Sequence, residues 1–584
     1  MSASEVAVRE EAKPGLWQRY LPILQWLPSY RRAWFAPDTV AALSVWALLI
    51  PQSLGYATLA GVPVQYGLYA AFVALIAYAI FGTSRQMAQG PSGAVAAVSA
   101  AVVAPIVGTE AMGTEKAVGY TAALALLTGV VYVLLGLLRL GWISNFLSKA
   151  VLGGFVLGFA IGIIIDQSHQ LLGVDKISGS YIEELIGTIK ELPDTQLVTL
   201  VVGTASLAGL LLMRRFLSAW PRALIVMALS ILAVQAFDLA DEGVALTGPV
   251  PTGLFSIRLP GVGWSEFGAL LAGALSVVFV GYSESLASAR AMALKHGYEI
   301  DPDQELIAQG AACGAAGFVG AFATDGSLSK TSVADLTGQK TQMASLVNAL
   351  FVLSTMLFLA SLFENLPQAT LGAVVIDAML GMVTFGPMRR YFRVNRADWL
   401  FFVGAMFGIL FIDIIHGILI GVVLSLLLLI ARASKPGLSR LGREPKLDVW
   451  VAVGRYSGLE LVPGVVAVRM GGPLFFADAN RFRDALYEMI SDNPDPVRAL
   501  VVDATAISQT DTDGADIVIQ IAEDLRSRGV SLAFAHLEPD ILNLWTRAGV
   551  LDAIGPGHIF ETVREAVKAL EGTRPATTAT ISSP

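Results

Sequence analysis

The sequence predicts a polytopic α-helical membrane protein of fourteen spans, followed by a small soluble α/β domain. Three observations carry that reading: a nearly continuous apolar run, a one-sided distribution of basic residues, and a change of texture near residue 446. Of the 584 residues, 55% are hydrophobic and only 15% charged, with a mean hydropathy of +0.64. Soluble domains carry about 25% charged residues, so a single water-solvated globule is excluded.

A spanning helix needs about 20 apolar residues. Apolar stretches run from Thr39 to Ala431, and short polar or Gly-Pro punctuation divides them. Spans are expected near 39–60, 67–82, 92–107, 118–138, 150–168, 195–213, 221–238, 267–289, 304–323, 328–338, 342–363, 368–385, 397–415 and 417–432. The stretches opening after Gly90-Pro91 and after Gly326 are too short to cross alone. With the N-terminus inside, the inner loops hold 17 lysines and arginines, among them Arg31, Arg32, Arg214, Arg215, Arg222, Arg389, Arg390, Arg393 and Arg396. The outer loops hold only Lys116, Lys176, Lys190 and Arg258, and collect acids such as Glu183, Glu184, Asp238 and Asp241. This is the positive-inside pattern, and an even number of spans puts both termini in the cytoplasm. The expected location is the plasma (inner) membrane, multi-pass and in contact with lipid. The polar start MSASEVAVREEAKPG is not a removable signal peptide. Gly154, Gly158 and Gly162 recur every four residues, a spacing that lets helix backbones meet in lipid.

From Lys446 to Glu571 the chain carries 11 basic and 19 acidic residues, whereas the remainder carries 28 of each. The whole net charge of −8 therefore sits in the C-terminal segment. That balance argues against a nucleic-acid partner. GVVAVRMGGPLFFA reads as a strand, a turn at Gly471-Gly472-Pro473 and a short strand; ADANRFRDALYEMISD reads as a helix. The runs VRALVVDAT and VSLAFAHL are buried strands flanking the amphipathic ADIVIQIAEDLRSRG, which together indicate a small α/β domain with a mixed sheet. The expected division is a cytoplasmic N-terminal segment (1–37), a membrane domain (38–432), a linker (433–445), the α/β domain (446–571) and a disordered tail (572–584).

Charges inside a membrane are costly and mark function. Glu284, Asp325, Lys330, Asp335 and Asp377 lie at apparent depth, while Asp166, His169, Asp413 and His416 fall near span ends, where headgroup exposure explains them. Two interruptions look related. The first half has a break at Pro51-Gln52 and a short helix opening at Gly90-Pro91-Ser92-Gly93. The second half has Glu284 and a short helix opening at Asp325-Gly326-Ser327-Leu328-Ser329. Broken segments at corresponding places in two halves point to a transporter with inverted repeats. Two facing half-helix N-termini build an anion site from N–H groups and dipoles. Lys330 adds a full positive charge there, and Glu284 either bridges to it or carries a coupling proton. No paired-histidine spacing, phosphate loop or nucleophile elbow occurs. The sequence thus predicts no enzyme, no metal site and no cofactor. Cys313, the lone cysteine, reads as a small packing residue and forms no intramolecular disulfide.

PQSLGYATLAGVPVQYGLY (Pro51 to Tyr69), GYEIDPDQELIAQG (Gly297 to Gly310) and DGSLSKTSVADLTGQKT (Asp325 to Thr341) closely resemble signatures of the SulP sulfate permease family. The C-terminal segment resembles a STAS domain, and the likeness covers roughly residues 38–570. The resemblance implies a 7+7 inverted repeat divided into core and gate subdomains, working as an elevator in a homodimer. It implies a secondary transporter of small inorganic or organic anions, of the sulfate, bicarbonate or dicarboxylate class. Carried over by motif, Gln52 and Tyr56 line the substrate site, and Ser92 and Gly93 supply the third-span N-terminus. Ser327, Leu328 and Ser329 supply the tenth-span N-terminus, with Lys330 where many relatives have arginine. Lysine keeps the charge but loses the bidentate fork. Sodium-coupled bicarbonate members resemble the chain with Asp at the Glu284 position and no cation at the Lys330 position. A fixed ammonium would repel Na⁺ by about 4 kcal/mol at 4 Å in an effective dielectric of 20. Proton-coupled symport through Glu284, or anion exchange, is therefore expected over sodium coupling. In the STAS-like domain, QTDTDGA places Asp513 where anti-sigma antagonists carry a phosphorylatable serine. That excludes a phosphoswitch there, but leaves a fixed charge for a cytoplasmic protein partner. The rival readings are a membrane-anchored regulator signalling through its STAS domain and a nucleobase carrier of related fold. Half-helix dipoles and one lysine specify negative charge, not which anion.

Overall fold

A computed structural model of the chain describes residues 16–412 and 437–571 apart from 143–148, 176–178, 218–219, 258–259 and 454–457, with only single positions between 413 and 436. The expected span 417–432, Asp413, His416 and the tail 572–584 lie outside the described residues. The chain forms two compact units, Met1–Ser425 and Leu426–Pro584.

The first unit is helical. Its elements are α1 (Phe35–Leu59), α2 (Gln65–Phe81), β1 (Gln89–Gly90), α3 (Gly93–Val107), α4 (Glu115–Leu137), α5 (Lys149–Leu172), α6 (Tyr181–Lys190), α7 (Leu197–Phe216) and α8 (Arg222–Phe237). There follow α9 (Phe267–His296), α10 (Pro302–Phe318), β2 (Asp325–Gly326), α11 (Leu328–Leu336), α12 (Met343–Ser354), α13 (Gln368–Met382), α14 (Gly386–Val394) and α15 (Arg396–Phe411). Among the described residues, seven helical stretches are long and apolar enough to cross a membrane. Besides the N-terminal helical turns Leu16–Tyr20 and Ile23–Trp26, two short helices, α6 and α14, were not anticipated. α6 begins with a capping box, in which the Ser180 hydroxyl and the Glu183 carboxylate each accept from the other residue's backbone N–H. α14 lies between two apolar helices and buries none of its residues.

Proline does not break α1. Pro51 sits inside a continuous 25-residue helix, so the expected interruption at Pro51-Gln52 is absent. Proline removes one N–H from the ladder, and packed neighbours tolerate that inside a helical bundle. The real break falls after α2, where residues 82–92 are non-helical apart from β1.

Small residues set the closest helix contacts, as the spacing of Gly154, Gly158 and Gly162 leads one to expect. A Cβ on Gly154 would stand 2.0 Å from the Phe402 carbonyl oxygen, and one on Gly158 2.6 Å from that of Met406. α5 thus lies backbone to backbone against α15. Gly162 makes room for the Tyr181 ring at the start of α6. α4 and α10 meet the same way, with a Gly310 Cβ only 2.8 Å from the Gly129 carbonyl oxygen. Such approach replaces the hydrophobic effect, which gives no drive between helices already in lipid.

The second unit is a six-stranded mixed sheet in the order β4-β3-β5-β6-β7-β8. Its strands are β3 (Leu438–Glu444), β4 (Val449–Ala452), β5 (Val465–Met470), β6 (Ala499–Asp503), β7 (Ser531–Ala535) and β8 (Ile559–Phe560). β5 to β8 run parallel and β3 is antiparallel to both neighbours. β3 occupies most of the stretch expected as linker. The short strand expected after Pro473 is a single bridge, Leu474 to Thr510. Val466, Val468, Leu500, Val502, Leu532 and Phe534 pack on one face against α16 (Ala479–Ser491) and α17 (Thr512–Ser527). Val465, Ala467, Val501 and Ala533 pack on the other against the C-terminal helix Val563–Glu571. Asp503, at the end of β6, is fully buried and takes hydrogen bonds from Thr505, Arg469 and His536. Burial pushes its carboxyl up, but those three partners outweigh burial and hold it below the ordinary aspartate range. Asp513 is exposed in the first turn of α17, which Asp511 caps by accepting the Gly514 N–H at 2.8 Å.

Gly154→Ala is expected to lower the thermal stability of the purified protein by about 1–3 kcal/mol, because a backbone carbonyl cannot move aside. Gly119→Ala, which meets nothing within 4 Å, should leave the melting curve in place.

Candidate functional site

β1 and β2 are two residues each, and they pair with each other. Gln89 lies opposite Gly326 and Gly90 opposite Asp325, antiparallel. Each strand runs within two residues into a helix, β1 into α3 and β2 into α11. The pairing therefore brings the two Gly-punctuated segments to one place in the bundle. Ser92, extended, caps α3 by accepting the Val95 N–H at 3.4 Å. Ser327 is the extended N-cap residue of α11.

Side chains fasten the junction from α11 itself and from two further helices. The Ser285 hydroxyl on α9 accepts the Gly326 N–H at 2.7 Å. Thr331 on α11 accepts the Ala88 N–H at 3.0 Å. Gln309 on α10 exchanges side-chain hydrogen bonds of 2.8 and 3.2 Å with Gln89. Cys313, fully buried on the same helix, donates its thiol to the Thr324 carbonyl at 3.1 Å. All these contacts join residues distant in sequence, and none is visible as a motif.

Lys330 is the charge at the centre. It is 1% exposed, and its Nζ donates to the Pro91 carbonyl oxygen at 2.5 Å. An ammonium from α11 thus reaches the start of α3. A Cβ on Gly90 would lie 3.1 Å from the Leu49 side chain and 3.5 Å, ordinary contact, from that Nζ. Asp325 and Glu284 are the charged neighbours of the ammonium. Asp325 is fully buried, with the Ser92 side chain beside its carboxylate. Glu284 is half-buried on α9.

The expected site residues converge unevenly. Tyr56 is buried, and its ring lies against Gly93, where a Cβ would stand 3.2 Å from Cε1. Gln52 is buried one turn earlier on α1. Ser92, Gly93 and Ser327 are buried, whereas Leu328 is 46% exposed and Ser329 is exposed too. The Ser327 and Ser329 hydroxyls are 3.0 Å apart. The first turn of α11 therefore opens to solvent on one side and holds Lys330 inside on the other.

The remaining deep charges have structural partners. Asp377 on α13 is bound by Arg222 at 3.0 Å and approached by Arg214 at 3.8 Å, so it closes α7 and α8 onto α13. Asp335 ties the end of α11 to that of α9 through Lys295 and His296. Asp166 is not headgroup-exposed as expected: it is buried, and Gln167 donates to its carboxylate at 2.8 Å. A polar residue near a span end can turn inward when its own helix supplies the donor. Among the described residues, no cluster of metal-ligating side chains occurs.

Two short helices whose starts meet on a two-stranded junction, set in a bundle of apolar helices, define a multi-pass membrane transport protein. The particular family follows from comparison with known proteins. Residues 35–405 match the Sulfate permease family and residues 456–566 match the STAS domain. The chain belongs to the Sulfate permease family, whose members are transporters and not enzymes. A probable sulfate transporter of Mycobacterium tuberculosis is 32% identical over 541 residues, covering 92% of this chain and 96% of the relative. The structure of the murine Solute Carrier 26 family member A9 anion transporter in the inward-facing state superposes with a TM-score of 0.89 at 25% identity, covering 97% and 96%. The transmembrane domain of a cyanobacterial bicarbonate transporter shares the fold over 68% of this chain and 98% of its own, with a TM-score of 0.59 at 20% identity.

Arg222→Leu should destabilise the detergent-purified protein by about 3 kcal/mol, because it strands a buried carboxylate. Adding Asp377→Leu should recover most of that loss in the same thermal melt.

Proposed function

We propose that this chain is a secondary active transporter of small anions, with sulfate first in the class, held between the starts of α3 and α11. The observation that carries the reading is the buried Lys330 ammonium standing between two helix N-termini. Free N–H groups and aligned peptide dipoles favour negative charge there, and the ammonium adds a full charge. Gln52, Tyr56, Ser92, Gly93, Ser327, Leu328 and Ser329 complete the binding surface. Sulfate leads because curated relatives at 30% identity or more are called sulfate transporters. Bicarbonate and dicarboxylates satisfy the same charge requirement.

Coupling to protons follows from the charge count. One ammonium and two carboxylates, fully ionised, carry a net negative charge that opposes an entering anion. A proton on one carboxyl cancels it. Glu284 is the carrier, because it is partly exposed and can exchange with solvent, whereas Asp325 is sealed. We further propose fourteen spans in two inverted sets of seven, and a transport domain over residues 38–432. On this reading core slides against gate within a homodimer in the plasma membrane, with both termini cytoplasmic.

In proteoliposomes with a panel of labelled anions, uptake should follow an inward proton gradient and ignore a Na⁺ gradient. Uptake that needs an anion on the opposite side and ignores pH would establish exchange instead. Lys330→Ala should weaken sulfate binding about tenfold or more at low salt, and Lys330→Arg should retain most of it. Unchanged affinity in Lys330→Ala would remove the lysine from the site. Glu284→Gln should lose acid-driven uptake yet keep anion binding; acid-driven uptake at the wild-type rate would sink the proton role.

A further inference from the structure

The short helix α14 and the residues flanking it form a second site with no part in the junction just described. Within the stretch GPMRRYFRVNR (Gly386–Arg396) there are four arginines and no acid. None of the nine residues of α14 is buried. The side chains of Arg389, Arg390, Arg393 and Arg396 have no ion pair or hydrogen bond among the described residues. Four unpaired guanidinium groups so close together repel one another unless something negative lies between them.

A groove of about 550 Å³ runs beside them, lined by Phe385, Met388, Arg389, Phe392, Arg393 and Trp399. Arg389 and Arg393 are four residues apart, hence on one helical face. The Phe392 and Trp399 rings meet edge to face at 5.4 Å and make one wall. Phe385 is 51% exposed and Phe392 55% exposed, so the protein itself leaves both rings uncovered. The groove is therefore cationic along one edge and apolar along the rest.

We propose that this groove binds the headgroup and upper acyl region of an anionic phospholipid. The two arginines take the phosphate through paired N–H groups, and Phe385, Met388, Phe392 and Trp399 cover the glycerol and first methylenes. An amphipathic helix with arginines on one face and aromatics on the other lies in the plane of a membrane interface. Its place in the chain agrees: α14 joins two apolar helices, and its arginines belong to the basic inner loops, which face the anionic leaflet. A small free anion would use the arginines and leave the aromatic wall bare, so the lipid fits better.

The test is native mass spectrometry of the full-length protein, purified in detergent and supplied with equal amounts of phosphatidylglycerol and phosphatidylcholine. The wild type should retain phosphatidylglycerol preferentially. Arg389→Gln with Arg393→Gln should reduce that preference about 25-fold, roughly fivefold for each arginine removed. Phe392→Ala should weaken it with the charge intact, and Arg215→Gln, an exposed arginine elsewhere on an inner loop, should not. The proposal is overturned if the wild type shows no preference, if the double variant keeps it, or if Arg215→Gln loses as much. Inorganic phosphate in excess should not displace the lipid; displacement would make this a free-anion site instead.

Discussion

The membrane unit depends on a single contact between distant parts of the chain, the Lys330 ammonium on the Pro91 carbonyl oxygen. A fully buried cation is stable only when charge and hydrogen bonds compensate its lost hydration. Here one carbonyl and two carboxyls do so together, against the positive ends of the two helix starts. Several other choices in the sequence serve that arrangement. Gly281 makes room for the Tyr132 hydroxyl, which would stand 2.8 Å from a Cβ there, and Ser285 holds the strand that carries Asp325. The proline that supplies the acceptor also ends the preceding non-helical segment and cannot itself continue a ladder.

A second consequence is a division of labour among the charged residues. The pair Arg222–Asp377 and the cluster Lys295–His296–Asp335 join helix to helix and resemble internal staples. The trio Lys330, Asp325 and Glu284 instead sets one ammonium among two carboxyls where the two helix starts meet, an unequal charge set that an arriving anion or proton would change.

Much of this was legible in the sequence because its signals were long. Apolar runs of about twenty residues locate their helices within a few residues of the observed bounds, and glycines at a four-residue spacing locate the α5–α15 contact. The half-helix starts were legible as Gly-Pro-Ser-Gly and Asp-Gly-Ser-Leu. The β1–β2 pairing was not, since two-residue strands have no periodicity and their partners lie more than 230 positions apart. Pro51 misled because proline's local cost is visible in a sequence, while the packing that absorbs it is not. Asp166 misled for the related reason that a side chain's direction depends on its rotamer and neighbour, not on its distance from a span end. α6 could have been found from Ser180 and Glu183, whose spacing is that of a capping box.

The lone cysteine gives the molecule an experimental convenience. Cys313 is wholly enclosed, and its thiol is engaged by the Thr324 carbonyl. Water-soluble maleimides therefore have no native target on the folded chain. A single reporter cysteine placed at Leu328 or Ser329, where α11 opens to solvent, could be labelled without first stripping the protein of its own sulfhydryl. The rate of its modification, with and without anion, would then follow the opening and closing of the transport path directly.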